Sequence, residues 1–394
     1  MTKRFAVFIF LLLIIGLPAY GVYILTRPDE RIEVQAELAV ADALSSSDDA
    51  GFARAFEPRE FSFPEDHGPH PEYGIEWWYY TGNLNSEQGR HFGFELALFR
   101  IALASEPPNR VSRWATSQLY MGHFAVTDVH NSQFYSFERF SRAALGLAGA
   151  SVSDDQRFRV WVEDWSIEGE GAERPTIHLK AAEENIAIDL KLVSGKPLIL
   201  QGDKGLSQKS AEPGNASYYY SVTRMPTRGT LSIGEQSFTV AGSSWMDREW
   251  STSALADEQL GWDWFALQLS DGREVMFYQF RLRDGGIDPL SSGTVILADG
   301  STLTLTPEDV QIQVLDHWES PRGGSYPSKW RMRISSESTD LEITPYINGQ
   351  ELDASVRYWE GAVRIRGTSK GQPISGNGYV EMTGYATGSG GRSG

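Results

Sequence analysis

Asp247 and Glu249 stand two residues apart in the stretch SWMDREWS, with Trp245 and Trp250 on either side. In an extended chain alternate side chains share a face. Trp245, Asp247 and Glu249 would then look one way, and Met246, Arg248 and Trp250 the other. Two carboxylates held together beside indoles lose hydration and repel each other, which pushes one pKa upward. A carboxyl that stays protonated near neutral pH is the general acid needed to protonate an alkene or an ether oxygen. The same stretch also admits a plainer role, with Asp247 or Glu249 ion-paired to Arg248 or another arginine to join two parts of the fold. His123, in GHFAVTD, shares a strand face with Ala125 and Thr127. There it either exchanges protons with a ligand or sits as a hydrogen-bonded core histidine.

Other residues couple carboxylates to aromatics. Glu76 opens the run EWWYY in GIEWWYYTGNL, and Asp263 lies between Trp262 and Trp264 in GWDWFALQL. Once buried, each needs a partner, across a domain interface or beside a shared pocket. Tyr218, Tyr219 and Tyr220 in NASYYYSVTRM offer phenolic hydrogen bonds to a ligand, or form an ordinary amphipathic strand. On this reading the catalytic groups are Asp247, Glu249 and His123. The ligand contacts are Glu76, Trp78, Tyr80, Tyr220, Trp245, Asp263 and Trp264.

Two motifs are set aside. GTSKG (367–371) matches G-x-S-x-G, but a nucleophile elbow needs a strand running into a helix. Here two strand patterns flank a polar turn, so a serine hydrolase is poorly supported. EDHGPH brings His67 and His70 near Glu65 and Asp66, but Gly68 and Pro69 make this a loop, and no third zinc ligand is identifiable. No metal, nucleotide or flavin cofactor is expected.

Strands must position these groups. HFGFELALFRIAL, FRVWVEDWSIEG, IAIDLKLV and SSGTVILADGSTLTLT are short, rich in β-branched or aromatic residues, and roughly alternating. Asp-Gly pairs in SDGR, RDGG and ADGS suit tight hairpins. Beyond residue 60 no segment reads as a long amphipathic helix, so an all-β fold of two sandwich or barrel units is expected. Residues 76–100 align with 261–283: Trp77 with Trp262, Tyr79 with Trp264, Tyr80 with Phe265, Leu84 with Leu269, Phe94 with Phe277. That pattern fits a duplicated β unit. Trp77 and Tyr79 share one strand face, Glu76, Trp78 and Tyr80 the other. One face would fill its own barrel and the other would pack against the second barrel.

With 394 residues, 41% of them hydrophobic, the chain can bury more than one core. A net charge of −17 with no basic stripe argues against a nucleic-acid partner. The absence of cysteine excludes disulfides, thiolate metal sites and cysteine nucleophiles. Lys3 and Arg4 precede a charge-free apolar run from Phe5 to Leu25. At ~1.5 Å per residue, such a run matches a bilayer core of ~30 Å. Residues 1–26 are therefore read as a transmembrane anchor or signal segment, with the bulk of the chain on the periplasmic side of the inner membrane, or secreted if the segment is cleaved. Residues 27–60 read as a charged tether, 61–240 as a first domain, 241–386 as a second, and 387–394 as a flexible tail.

HGPHPEYGIEWWYYTGNL, GHFAVTD, LQGDKGLSQK, NASYYYSVTRM, SWMDREWS, GWDWFALQL and GNGYVEMTGY follow one another in this order. Over residues 61–386 they resemble the lipocalin-like family of bacterial carotenoid 1,2-hydratase (hydroxyneurosporene synthase) and of the AttH-type secreted proteins, often described as hydrolases. The AttH branch is the closer likeness. The resemblance implies two consecutive lipocalin-like antiparallel β-barrels packed together, and action on, or carriage of, an apolar lipid or isoprenoid-like molecule. For the AttH branch it also implies an ABC-type permease as partner. Two functions follow: a membrane-tethered extracytoplasmic binding protein serving an exporter, or a hydratase adding water across an isolated C=C bond. Both need a largely apolar pocket, and only the enzyme needs a proton donor. Deleting residues 1–26 is expected to release a soluble protein on fractionation; a truncated chain that stays with the membrane would contradict a single anchor.

Overall fold

The computed structural model describes residues 51–106, 112–252 and 255–386. The anchor expected at 1–26, most of the tether and the tail lie outside the described residues. Among those described, no helix is long and apolar enough to cross a membrane.

As the alternating patterns predict, the described chain is almost entirely β. One antiparallel sheet comprises β1 (Ile75–Ser86), β2 (His91–Ala102), β3 (Gln118–Asp128), β4 (Gln133–Arg142), β5 (Ala148–Val152), β6 (Arg157–Val162), β7 (Trp165–Glu170), β8 (Thr176–Glu183), β9 (Ile186–Val193), β10 (Ile199–Leu200), β11 (Leu206–Gln208), β12 (Ala216–Ile233) and β13 (Gln236–Ser251). A second holds β14 (Gln259–Leu269), β15 (Glu274–Leu282), β16 (Ser292–Ile296), β17 (Thr302–Leu305), β18 (Val310–Glu319), β19 (Ser325–Ile334), β20 (Thr339–Pro345), β21 (Glu351–Leu352), β22 (Tyr358–Ser369) and β23 (Gln372–Met382). GTSKG lies at the β22–β23 hairpin, where Lys370 and Gly371 both take positive φ (50° and 76°), as a tight hairpin turn requires.

In each sheet the first strand lies beside the last, β1 against β13 and β14 against β23. This pairing rolls the first sheet into a nearly closed barrel. The second stays a half-barrel, which corrects the expectation of two full barrels. β13 runs through the expected boundary at 240/241, paired with β1 from Ser86↔Val240 to Ile75↔Ser251, so SWMDREWS belongs to the first sheet, which ends at Ser251 while the second begins at Gln259.

The registers carry the internal repeat further than the sequence alignment does. Tyr79 lies across from Asp247, and its aligned counterpart Trp264 lies across from Glu381. One strand further on, Asp247 faces Ser221 and Glu381 faces Glu360.

Alternation then sorts the side chains. Trp78, Tyr80 and Leu84 of β1, Phe92 to Leu98 at every second residue of β2, and Met246 and Trp250 of β13 fill the first barrel. Their strand neighbours Tyr79, Ala97, Tyr219 and Trp245 meet Trp264, Met276, Tyr278 and Tyr379 in a separate layer between the sheets. Gly93 allows this close approach, since a Cβ there would sit 2.6 Å from Ala362 Cβ and 2.8 Å from Tyr379 Oη. Phe265, Trp330 and Trp359 belong to the half-barrel's own core.

Residues before β1 plug the end of the first barrel. Phe61 and Phe63 pack on the rings of Tyr220 and Trp250. His67 bonds Tyr220 Oη through Nδ1 (2.6 Å) and the Ala172 carbonyl through Nε2 (2.7 Å). His70 stacks flat on Trp250, with its ring nitrogens facing Asp66 and Glu76. Both imidazoles are thus engaged in structural contacts. Glu76 is wholly buried between Arg100 and Arg248. Burial alone would raise its carboxyl, but Arg248 and Arg100 bring it well below the usual carboxylate range.

Glu76, Trp78, Tyr80 and Tyr220, expected to contact ligand, therefore face a filled and plugged interior. Their strand parity sends them there, one residue out of step with the inter-sheet face. Glu76→Gln would leave two buried guanidinium groups without their counter-charge and should cost about 3–5 kcal/mol. Chemical denaturation followed by tryptophan fluorescence checks this; an unchanged midpoint would contradict the plug's role.

Candidate active site

The residues of opposite parity converge between the sheets around a cavity of ≈ 170 Å³. Its walls are mainly rings. Trp77 and Tyr79 come from β1, Phe99 from β2, Trp262 and Trp264 from β14, and Tyr278 and Phe280 from β15. Tyr79 and Trp264, the aligned pair, meet edge to face at 5.4 Å, which makes the repeat's own interface one wall of the cavity.

Acidic groups from both sheets are set into these walls. Asp247 accepts hydrogen bonds from Ser221 Oγ (2.5 Å), Tyr219 Oη (2.6 Å) and Trp245 Nε1 (2.8 Å). Burial outweighs these three donors, and with Glu249 nearby it pushes the Asp247 carboxyl up to about 7. Glu249 takes the Lys209 ammonium at 2.6 Å and a hydrogen bond from Ser217 Oγ. Burial works against the Lys209 charge, yet Glu249 holds its pKa above the usual lysine value. The Lys209 ammonium also lies over the rings of Tyr278 (5.2 Å) and Tyr219 (5.5 Å).

The half-barrel supplies the other side. Glu381 receives the Trp262 indole N–H at 2.9 Å, and burial, then Asp247 and Glu249, raise its carboxyl. Glu360 accepts the Tyr79 hydroxyl and hydrogen-bonds the Glu95 carboxyl, which lies behind it on β2. Burial, then Glu381, pushes Glu95 up to about 8, and burial, then the charges of Glu95 and Glu381, raises Glu360 well above its ordinary value. Glu95 Oε2 and Glu360 Oε2 find no other donor, and one proton shared between two carboxyls satisfies both. Tyr358 donates its hydroxyl to Glu95 (3.2 Å) and meets His123 Nδ1 at 2.7 Å.

Of the expected site residues, Asp247, Glu249, His123 and Trp264 line this cavity. Trp245 stands behind Asp247 as its hydrogen-bond donor. Asp263 departs from expectation: its parity turns it into the half-barrel, where it pairs with Arg281 at 3.1 Å. Arg248 points into the first barrel, so it pairs with neither Asp247 nor Glu249. Tyr219, one of the three tyrosines expected to offer a phenolic hydrogen bond, also lines it, whereas Glu95, Lys209, Tyr358, Glu360 and Glu381 are not singled out by the sequence. A signal existed for two of them. An aromatic two residues before an acid occurs in Trp245-x-Asp247, Tyr358-x-Glu360 and Tyr379-x-Glu381. Among the described residues, no three metal-ligating side chains gather in one place.

Paired β-sheets of lipocalin type with an acid-bearing apolar cavity between them define the class. The chain belongs to the AttH-like family, whose profile matches residues 54–385. A Nitrosomonas europaea protein described as an AttH candidate shares 31% identity in its crystal structure, with a TM-score of 0.74 over 85% of this chain and 100% of that one. Kievitone hydratase from Nectria haematococca shares the fold at 17% identity, with a TM-score of 0.61 over 86% of this chain and 98% of its own. CghA is more distant, at 13% identity and a TM-score of 0.52, over 88% of this chain and 99% of its own. No curated protein matches the sequence significantly.

The raised Asp247 carboxyl has a sign that can be measured. Folded Asp247 still holds its proton between its ordinary value near 3.8 and about 7, where the unfolded chain has lost it. Its contribution to stability is present at low pH and falls as pH rises through that window. Relative to wild type, Asp247→Asn should therefore gain about 1.4 kcal/mol per pH unit between about pH 5 and pH 7. The comparison must be against wild type because buried His67, held down to about 4, acts in the opposite sense. Parallel pH profiles of unfolding free energy for the two proteins would contradict the assignment.

Proposed function

We propose that the protein is a hydratase that protonates an isolated C=C bond of an apolar, isoprenoid-like molecule and adds water to the resulting cation. The observation that carries this is the buried Glu95–Glu360 carboxyl pair, each with an oxygen that finds no donor and each raised by burial, with Glu360 opening onto a ring-lined apolar cavity. A binding protein has no use for a proton there, and desolvating two carboxyls costs stability. Kievitone hydratase sharing the same fold is compatible with this reading.

In this scheme the Glu360 carboxyl gives its proton to one alkene carbon, and the π electrons form the new C–H bond. The faces of Trp264, Tyr278 and Trp77 stabilise the positive charge left on the other carbon. Water bonds to that carbon and loses a proton to Asp247, whose raised pKa suits it to accept and later release one. Glu249, bonded to Lys209 and Ser217, supports the cationic side of the reaction.

The apolar run from Phe5 to Leu25 supports an inner-membrane anchor, with the cavity on the periplasmic side and substrate drawn from the bilayer. An ABC-type permease would be a partner that delivers or removes such a molecule.

The test is incubation of the full chain with source-membrane lipid extract in H₂¹⁸O, followed by mass spectrometry. A product heavier by one labelled water is expected, and Glu360→Gln should lower turnover by about 10²–10⁴-fold while retaining ligand. A bound apolar molecule released unchanged from wild type would replace this reading with that of a carrier.

A further inference from the structure

A hydrogen-bonded path leads from the carboxyl pair along the cavity wall, which Tyr358 and His123 both line, toward solvent. Tyr358 on β22 donates to Glu95 Oε1 (3.2 Å), and its oxygen meets His123 Nδ1 (2.7 Å). The opposite ring nitrogen, His123 Nε2, faces Glu138 Oε1 at 3.1 Å. His123 is 2% exposed, whereas the Glu138 side chain is 16% exposed and so reaches solvent. Glu138 is aimed by three further contacts, from Ser355 N to both carboxylate oxygens (3.1 and 3.0 Å) and from Ser355 Oγ (2.7 Å). Four elements contribute: β4, β3, β22 and β2. Both imidazole nitrogens lie in line between a solvent-facing acid and a buried one.

The geometry points to a proton relay from solvent through Glu138, His123 and Tyr358 to the Glu95–Glu360 pair. It rests on the hydratase reading for its purpose, which is to recharge the acid while an apolar substrate fills the cavity and keeps water out. One proton enters and one is delivered. Solvent protonates Glu138, which passes that proton to His123 Nε2. The Nδ1 proton of His123 moves to Tyr358 Oη, and the Tyr358 hydroxyl proton moves to Glu95. Glu138 ends as a carboxylate, His123 as the other neutral tautomer and Tyr358 as a neutral phenol, so no charge remains on the path. Phe99 lies against the His123 ring at 5.3 Å and Met121 and Val356 line the nearby wall, so the path is bordered by apolar groups on its cavity side. The other titratable groups around the acid pair are Tyr79, Tyr379, Glu381 and Asp247. Tyr79, Glu381 and Asp247 line the cavity, and none of the four is among the groups that link Glu95 to Glu138.

The relay can be tested without a substrate, on the full chain. Infrared difference spectroscopy after a jump from alkaline to neutral pH follows the band of the protonated buried carboxyl. Glu95→Gln and Glu360→Gln assign that band by abolishing it. Glu138→Gln should leave the size of the band and the melting temperature unchanged but slow its appearance by about tenfold or more, with imidazole in the buffer restoring the rate. A purely structural hydrogen bond would shift melting and not the rate. His123→Gln carries the same expectation should Glu138→Gln fold poorly. Wild-type kinetics in both variants would overturn the relay. Absence of the band in the wild type would overturn both the relay and the shared proton on which the hydratase reading stands. A relay that works in a protein without hydratase activity would overturn the reaction alone.

Discussion

The two-residue alternation of β13 governs both ends of this molecule. Along SWMDREWS, Arg248 is sent into the first barrel and Asp247 and Glu249 out of it. Had the cation and the acids shared a face, they would have neutralised one another and left neither a plug nor an acidic cavity. Kept apart, Arg248 serves Glu76 and closes the barrel, while Asp247 on the other face, with no guanidinium beside it, has its carboxyl raised by burial. A one-residue slip of β13 against β1 would exchange these roles, and the tightly paired register from Val240 to Ser251 prevents it.

Much of the architecture was readable from that same alternation. The all-β fold, the repeat joining Trp77–Tyr79 to Trp262–Trp264, and the division of β1 into an inward and an inter-sheet face all follow from residue order. Residue order does not say which face holds the cavity. Trp78 and Trp77 are equivalent by composition, and only the plug formed by Phe61, Phe63 and His70 makes the inner face the closed one. Glu95 illustrates the remaining limit. Its neighbours Glu360 and Tyr358 lie more than two hundred and sixty residues away on the other sheet, and no local pattern announces such a meeting. Lys209 likewise reaches Glu249 from a connection between β11 and β12.

Placing so many carboxyls in one apolar layer works against stability, and the fold offsets it with two separate cores that take no part in the chemistry. The barrel interior and the half-barrel core are ring-rich and free of the cavity's acids. Between them the sheets are clamped by polar contacts away from the cavity. Lys196 binds Glu274 and the carbonyls of Gly272 and Leu297, Thr127 binds Gln350, and Gln268 binds the Thr223 and Ser244 carbonyls. The strained layer is thus held from outside, and its side chains need not stabilise it themselves.

The matching registers of the two sheets place two acids at corresponding points of this layer. The closing strands of the two units bring Asp247 and Glu381 to matching positions, each accepting an indole N–H, from Trp245 and Trp262 respectively. The strands beside them differ at one position: Ser221 faces Asp247, whereas Glu360 faces Glu381. A serine hydroxyl donates to its carboxylate and favours the charged form. A glutamate in the same place, Glu360, feels the charges of Glu95 and Glu381, which favour its holding a proton. At this one register position the two sheets thus differ by a serine and a glutamate, and opposite walls of a single cavity carry Asp247, suited to accept a proton, and Glu360, suited to give one.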